Sequence, residues 1–372
     1  MSVDRASSSL PDPKTARAAL VAGLLLAGVL FVVVLLWAKW LPYATRTSSL
    51  AASGAWSGSS ILSVGGVQPG DAPSWQAATS FAGAYLTAVW KALTAALLIS
   101  AAVQSLVPRR WLLRVLNRRG RVTSAVVGGL CSTPSMMCTC CTAPVAVTLR
   151  RSGVSTAAAL AYWLGNPLLN PAVLIFLVLV APWQWTVTRL VVGVLIVVGG
   201  SALVARLVEG RQPASRMEAS QLTGEVADAA SAEPVGREWL AGAPARFGKA
   251  LLRLSIVLIP EYLIMVLLIG AFRGWLFPIG TTLGSGVVVV MLAAIAGTLL
   301  VIPTAGEIPI LQGLALAGVA LGPLGALLVT LPAVSLPGIA MVGRALGWRT
   351  TALTTAMVIA GGVLGAGLLT VL

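Results

Sequence analysis

Histidine is absent from all 372 residues, which excludes imidazole metal ligands and a histidine proton relay. Charge is scarce as well: Asp, Glu, Lys and Arg make up 10% of the chain, against about 25% in soluble domains. With 58% hydrophobic residues and a mean hydropathy of +0.94, there is too little polar surface for a water-soluble fold. No Gly-x-x-x-x-Gly-Lys phosphate loop occurs, so ATP-driven pumping would need a separate subunit. No cofactor and no enzymatic activity are expected. Acids are the rarer sign, 11 against 25 Lys and Arg, for a net charge of +14. On a soluble protein this balance would suggest nucleic acid. Here the basic residues cluster at the ends of apolar runs, as the positive-inside rule and anionic headgroups favour. The expected partners are therefore membrane lipids rather than nucleic acid, and the fold class is an all-α polytopic membrane protein.

About 20 apolar residues cross the hydrocarbon core, and this length divides the chain. Residues 1–17 are polar and read as a disordered cytoplasmic lead, with no cleavable signal pattern. Residues 18–41 form a first spanning helix, with Trp37 and Trp40 as interface anchors, and Pro42 to Thr79 reads as an external loop. A first membrane repeat covers 81–205. It holds a span from Phe81 to Val107, then the most basic patch, Arg109, Arg110, Arg114, Arg118, Arg119 and Arg121. That patch sets its side of the membrane as cytoplasmic. Val122 to Leu149 is too short for two crossings and reads as a hairpin that enters from the cytoplasm and returns. Spans over Thr156 to Val180 and Thr186 to Val204 follow. Residues 206–249 carry most of the remaining acids and read as a flexible cytoplasmic linker. A second repeat, 250–372, holds a span from Leu251 to Phe272, a hairpin from Gly286 to Leu316, and spans over Gly322 to Val342 and Thr351 to Leu372. The total is about seven spans plus two re-entrant hairpins. The expected location is a bacterial-type inner membrane with the N-terminus in the cytoplasm.

A shift of 165 positions lays Pro144, Gly153, Val154 and Pro167 on Pro309, Gly318, Val319 and Pro332. It also lays the break Asn166-Pro167-Leu168-Leu169-Asn170-Pro171 on Leu331 to Pro337, with one extra residue in the second copy. By the charge-derived topology the two hairpins enter from opposite sides, so the repeats are inverted. Inverted repeats with interrupted segments at matching positions point to a secondary transporter whose site lies where the breaks meet.

All four cysteines, Cys131, Cys138, Cys140 and Cys141, fall within eleven positions at the first hairpin. Such close neighbours make poor structural disulfides, so reduced thiols are expected. Residues at i and i+2 on non-helical backbone can turn Cys138 and Cys140 toward one point. Thiolates and thioethers select soft partners such as Cu(I), Zn(II) or trivalent arsenic, with Met136 and Met137 as further candidates. The competing reading is plain packing of small apolar side chains.

Only two acids, Glu261 and Glu307, fall inside apolar membrane segments. An intramembrane ionisable group is a functional candidate. Glu307, at the tip of the second hairpin, can take a proton, balance a cationic substrate, or cap exposed backbone amides. Glu261 is expected to pair with Lys91, either structurally or for proton coupling. Arg189 lies near the end of a span and is expected to snorkel. Asn166 and Asn170 bracket a double-proline break, where they can coordinate substrate or recap freed backbone.

In combination these motifs resemble the predicted permeases related to the ArsP-type organoarsenical efflux proteins. The resemblance rests on Cys138, Cys140 and Pro144, the Gly153 turn and the Asn-Pro-Leu-Leu-Asn-Pro break. It continues through Glu307-Ile-Pro, Gly318-Val and Leu331 to Pro337, and runs over roughly Phe81 to Leu372. It implies a multi-pass inner-membrane permease and, by analogy with characterised members, efflux of trivalent arsenicals with Cys138 and Cys140 as the soft-ligand pair. The family pattern has a small polar residue where this chain has Cys141, and Cys131 is less secure. Two rivals stand beside this reading. One is a membrane thiol oxidoreductase or redox sensor; the other is a permease for a different solute with structural cysteines, with a homo-oligomer open in either case.

Overall fold

A computed structural model describes residues 13–56, 61–210, 237–276 and 286–372. Among the described residues every regular element is helical, as expected where backbone groups must be satisfied within their own segment. Six helices are long and apolar enough to cross a membrane: Arg17–Ser53, Trp75–Leu106, Thr156–Val180, Trp183–Glu209, Ala243–Trp275 and Trp348–Val371. A seventh span is the pair Leu321–Ala333 and Leu336–Leu346, bent by 52°. The chain is thus an all-α polytopic membrane protein. Its outer face is apolar, with Leu25, Val29, Leu252, Ile256, Ile264 and Val288 exposed, the pattern of a surface wetted by lipid.

Two segments that read as loop or linker fold further than expected. The first helix does not stop at Leu41. A π-helical turn, Leu36–Trp40, leads into a helix over Leu41–Ser53. Pro42, which has no N–H to donate, sits just past that turn, where the hydrogen-bond register changes. Hydroxyls of Thr45, Thr47, Ser48, Ser49 and Ser53 bond back to carbonyls three or four residues earlier, so these polar groups are satisfied within the helix itself. The C-terminal part of the 206–249 linker is helical too, over Arg237–Ala241 and from Ala243 onward. Arg246 ties it to the span Trp75–Leu106 by donating to the carbonyl of Ser105 and holds its two helices together through the carbonyl of Trp239. Residues 211–236 of that linker and most of the 1–17 lead lie outside the described residues.

Two pairs of short helices do not reach across. The first is Arg121–Ser132 with Thr139–Arg151, joined through a 3₁₀ turn at Thr133–Ser135. The second is Val287–Leu299 with Glu307–Leu316. None exceeds 13 residues, against the roughly 20 a crossing needs. They are rooted at opposite ends of the span Thr156–Val180. The first hairpin ends beside its start, where Arg109 Nε donates to Ser152 O at 2.8 Å and Asn117 Oδ1 accepts from Ser155 N at 2.7 Å. The second is tied to its finish, where Gln312 Nε2 donates to Val180 O at 2.7 Å.

The 165-residue repeat is visible in the elements. Helices begin at Thr156, Pro171 and Trp183, and again 165 positions later at Leu321, Leu336 and Trp348. The turns before the broken spans use the same device, Gly153 at φ 90° and Gly318 at φ 84°, a conformation open to glycine. The two breaks differ in bend. Thr156–Val180 stays one span, and in it Asn170 Oδ1 accepts from Ala172 N and Val173 N, recapping the second half-helix. Ser335, at the matching place, provides no such cap and the span bends.

Candidate substrate site between two hairpin tips

The tip of the first hairpin is set by Met136, a non-glycine residue at φ 48°, after which Cys138 adopts extended backbone and becomes the N-cap of the helix Thr139–Arg151. Only Cys138 is therefore off the helix; Cys140 and Cys141 lie in its first turn. This differs from an expected non-helical Cys-x-Cys. The sulfurs converge all the same: Cys138 Sγ lies 3.1 Å from Cys140 Sγ and 3.2 Å from Cys141 Sγ, and all three lie within 4.8 Å of one another. Pro144 follows one turn later in the same helix. Its missing N–H leaves the carbonyl of Cys140 without its helical donor.

Three groups hold this tip in place. Asn166 Oδ1, from the broken span, accepts from Ser135 Oγ at 2.5 Å and from Met137 N at 3.0 Å. Thr139 Oγ1 bonds the carbonyls of Pro332 and Ala333 at 2.6 and 2.8 Å, so the first-half tip grips the break in the second half. The Trp163 indole donates to Thr139 O at 3.1 Å. Tyr85 and Tyr262, from the long helices Trp75–Leu106 and Ala243–Leu276, each bring a hydroxyl to 3.3 Å from Cys140 Sγ. A buried thiol with two phenols in contact has hydrogen-bonding company that simple packing does not require.

The second tip arrives from the other side. Glu307 is 2% exposed and opens the helix Glu307–Leu316. Its Oε1 meets Arg189 Nη1 at 2.6 Å. Arg189 also donates from Nη2 to Pro167 O at 2.7 Å and from Nε to Leu168 O at 3.3 Å. Arg189 does not snorkel: it is fully buried and satisfies the carbonyls that the double-proline break frees. A small cavity of about 20 Å³ lies between the tips, bordered by Cys138, Cys140, Glu307, Pro167, Thr304 and Ser335 among others. That is room for about one water-sized object. Asn166 Nδ2, Asn170 Nδ2 and Ser335 Oγ have no partner among the described groups, so buried polar capacity remains unused around the break.

The model of the family described as a predicted permease, ArsP_1, matches residues 74–371. The chain belongs to that family. A relative from Escherichia coli (strain K12), UPF0718 protein YraQ, is 40% identical over 341 residues, spanning 91% of this chain and 92% of the relative. No solved structure matches. The protein is thus a multi-pass membrane protein of the predicted permease family.

The structure does not gather every candidate of this permease into one place. Cys131 is exposed, on the helix before the tip, and faces a separate apolar cavity lined by Leu24, Phe31, Trp111 and Tyr162. It precedes the turn that aims the other three inward. Asn170 caps a helix rather than facing the thiols. The expected Glu261–Lys91 pair does not form. Glu261 Oε2 binds Arg344 Nη1 at 3.1 Å, because the bent span brings Arg344 beside it. Lys91 lies over the rings of Trp37 and Trp90. Sequence reasoning passed over Lys39, which is 6% exposed and donates to Tyr43 Oη at 3.0 Å and Thr304 Oγ1 at 3.2 Å. Its signal was there, a lone charge inside an apolar run, and Lys91 was noticed on the same ground. Tyr85, Tyr262 and Thr139 carried no comparable signal, since each belongs to a helix whose partners are distant in sequence.

Proposed function

We propose that this permease is a secondary transporter that effluxes a soft, thiol-reactive solute such as a trivalent arsenical or a soft metal ion. The single observation behind this reading is the cluster of three buried thiols, Cys138, Cys140 and Cys141, two of which, Cys138 and Cys140, border a cavity shared by both hairpin tips. Soft sulfur donors select soft acceptors, and three of them on one point match the valence of trivalent arsenic. The sulfurs stand closer together than a bound ion needs: bonds of about 2.3 Å in tetrahedral directions would place them about 3.8 Å apart. Binding would spread them by a fraction of an ångström and displace their mutual hydrogen bonds.

What supports an inverted-repeat transport mechanism is the rooting of the hairpins at opposite ends of one span, the shared 165-residue register of the helices, and the meeting of the tips at the Pro167 break. Such breaks at the midplane are where substrate sites of inverted-repeat transporters lie. The small size of the cavity between the tips fits a closed state in this reading. Opening toward either face would move one tip away from the other, breaking the Thr139 contacts with Pro332 and Ala333 or the Glu307–Arg189 pair. Glu307 enters this reading as the charged wall of the cavity, and proton coupling through it would require release from Arg189. The Glu261–Arg344 pair has no contact with the cavity, which leaves Glu261 outside the coupling path.

The test is uptake of a trivalent arsenical into everted membrane vesicles, comparing the native protein with Cys138→Ser, Cys140→Ser and Cys141→Ser. Uptake lost in all three and retained in Cys131→Ser is expected. Uptake indifferent to the three substitutions would remove the thiols from the mechanism. Thiol oxidation without solute movement would favour a membrane thiol oxidoreductase.

A further inference from the structure

The thiol cavity has a neighbour. On the far side of the second hairpin tip lies a cavity of about 460 Å³, lined by Lys39, Tyr43, Lys91, Thr87 and Thr304 among others. Pro303 and Thr304 border both cavities, so the turn they belong to stands between the large space and the thiols. The turn is tight: Gly306 N donates to Pro303 O at 2.8 Å, and Ala305 is held at φ 68°, an unusual conformation for a residue with a Cβ. Strain of this kind persists where surrounding contacts hold it, and one of those contacts is the bond from Lys39 to Thr304.

The electrostatics of the larger cavity are one-sided. Among the described residues two ammonium groups line it and no acid does. The three ion pairs among the described residues, Arg121–Glu209, Arg189–Glu307 and Arg344–Glu261, involve neither lysine. Lys39 is held by two hydroxyl oxygens, and Lys91 by the faces of Trp37 and Trp90 at 5.9 and 5.7 Å. Hydroxyls and ring faces stabilise a cation without neutralising it. Charge at membrane depth is costly and normally has a partner, and a cleft lined by one sign of charge concentrates the opposite ion. Thr304, which accepts from Lys39, also borders the cavity of the thiols, so whatever Lys39 attracts is brought to the threshold of that site.

We propose that this cavity is an anion-binding antechamber, with Lys39 and Lys91 as its anion ligands and the Pro303–Thr304 turn as the partition through which a ligand reaches the thiols. The ligand class is a small anion, either a free solute or the phosphate of a lipid headgroup. The proposal rests on the permease reading and narrows it to a thiol-reactive solute that approaches as an anion, which a free metal cation does not. It also gives the N-terminal helix, which lies outside the residues matched by the family model, a part in that site.

The experiment reads binding rather than transport, so failure of arsenical uptake and failure of the antechamber are separate results. Trp56 and Trp90 line the cavity, so their fluorescence, isolated by subtracting a W56F/W90F double variant, reports on it. In phosphatidylcholine nanodiscs the preference for iodide over caesium, taken as the ratio of their quenching of this component divided by the same ratio for free N-acetyltryptophanamide, is expected to be about tenfold, the lower end of what a charged cleft achieves. Lys39→Gln and Lys91→Gln are expected to abolish the preference. Thr87→Glu, which adds an acid to the cavity at an exposed position, provides a second route if a lysine variant does not fold. No preference on this scale, or a preference unchanged in all variants, overturns the proposal. Protection from iodide by inorganic phosphate supports it with a free solute as the occupant. Protection only by phosphatidylglycerol in the disc supports it with the headgroup as the occupant.

Discussion

Arg189 and Glu307 stand 118 positions apart in sequence and 2.6 Å apart in space, with neither reaching solvent. One comes from the span that closes the first half of the chain and the other from the tip of the second hairpin. Their contact ties the Pro167 break to the opposing tip, so a pair that reads as two isolated charges in the sequence is the joint between halves.

Removing one member of that pair leaves the other buried without a counter-charge, at a cost of about 3–5 kcal/mol. Arg189→Gln and Glu307→Gln are each expected to lower the unfolding midpoint of the purified protein in mild detergent. The double variant Arg189→Met/Glu307→Leu is expected to melt above either single one, because it removes both charges together. A double variant no better than Arg189→Gln would assign the stabilisation to the bonds from Arg189 to the carbonyls of Pro167 and Leu168 instead.

Asn166→Ala deletes the acceptor that holds Ser135 and the backbone of Met137. A buried N–H left without a partner costs about 1–3 kcal/mol, and here the loss falls on the turn that aims Cys138. The expected outcome is faster modification of Cys138 and Cys140 by a maleimide, measured by mass spectrometry, with Cys131 unchanged. Unchanged labelling of the inner pair would show that the tip is held by Thr139 and Trp163 alone.

Cadmium titration of the purified protein is expected to give a thiolate-to-metal absorption band at one equivalent per chain. Cys131→Ser should leave the band in place, since Cys131 is exposed on the other side of the tip. Cys138→Ser should remove it, because both short sulfur contacts are made by Cys138. A band that depends on Cys131 would contradict the arrangement of the tip.

Helix packing provides a further check. A Cβ at Gly128 would collide with the carbonyl of Ala158, whereas one at Gly83 meets nothing within 4 Å. Gly128→Ala is expected to destabilise by about 1–3 kcal/mol through overpacking. Gly83→Ala, at an exposed helix position, should be neutral or stabilise by up to about 1 kcal/mol. Thermal melts of the two variants side by side test the close approach of the first hairpin to the broken span.

Much of the scaffold was legible because membrane burial makes composition informative at each position. Apolar runs of spanning length, arginines at their ends and paired Pro-Gly breaks set the seven spans and the two short hairpins. The boundary at Leu41 was misread because the hydroxyls of Leu41–Ser53 are satisfied within their own helix, which a polar composition does not reveal. The thiols were visible for the same compositional reason: four cysteines crowd into one tip and none lies elsewhere.

What the sequence determined by itself is the class of the chain, the 165-residue repeat and the chemistry concentrated at Cys138, Cys140 and Cys141, since these follow from local composition and spacing. Tertiary structure decided which charges are partners. Arg189 was assigned to Glu307, Glu261 to Arg344, and Lys39 to Thr304, while Cys131 was turned away from the other three. Each pairing joins residues on helices that meet only when the hairpin tips close on the broken spans. In a low-dielectric interior such charges are stable only where a partner or a built polar site waits, and that condition is set in space rather than along the chain.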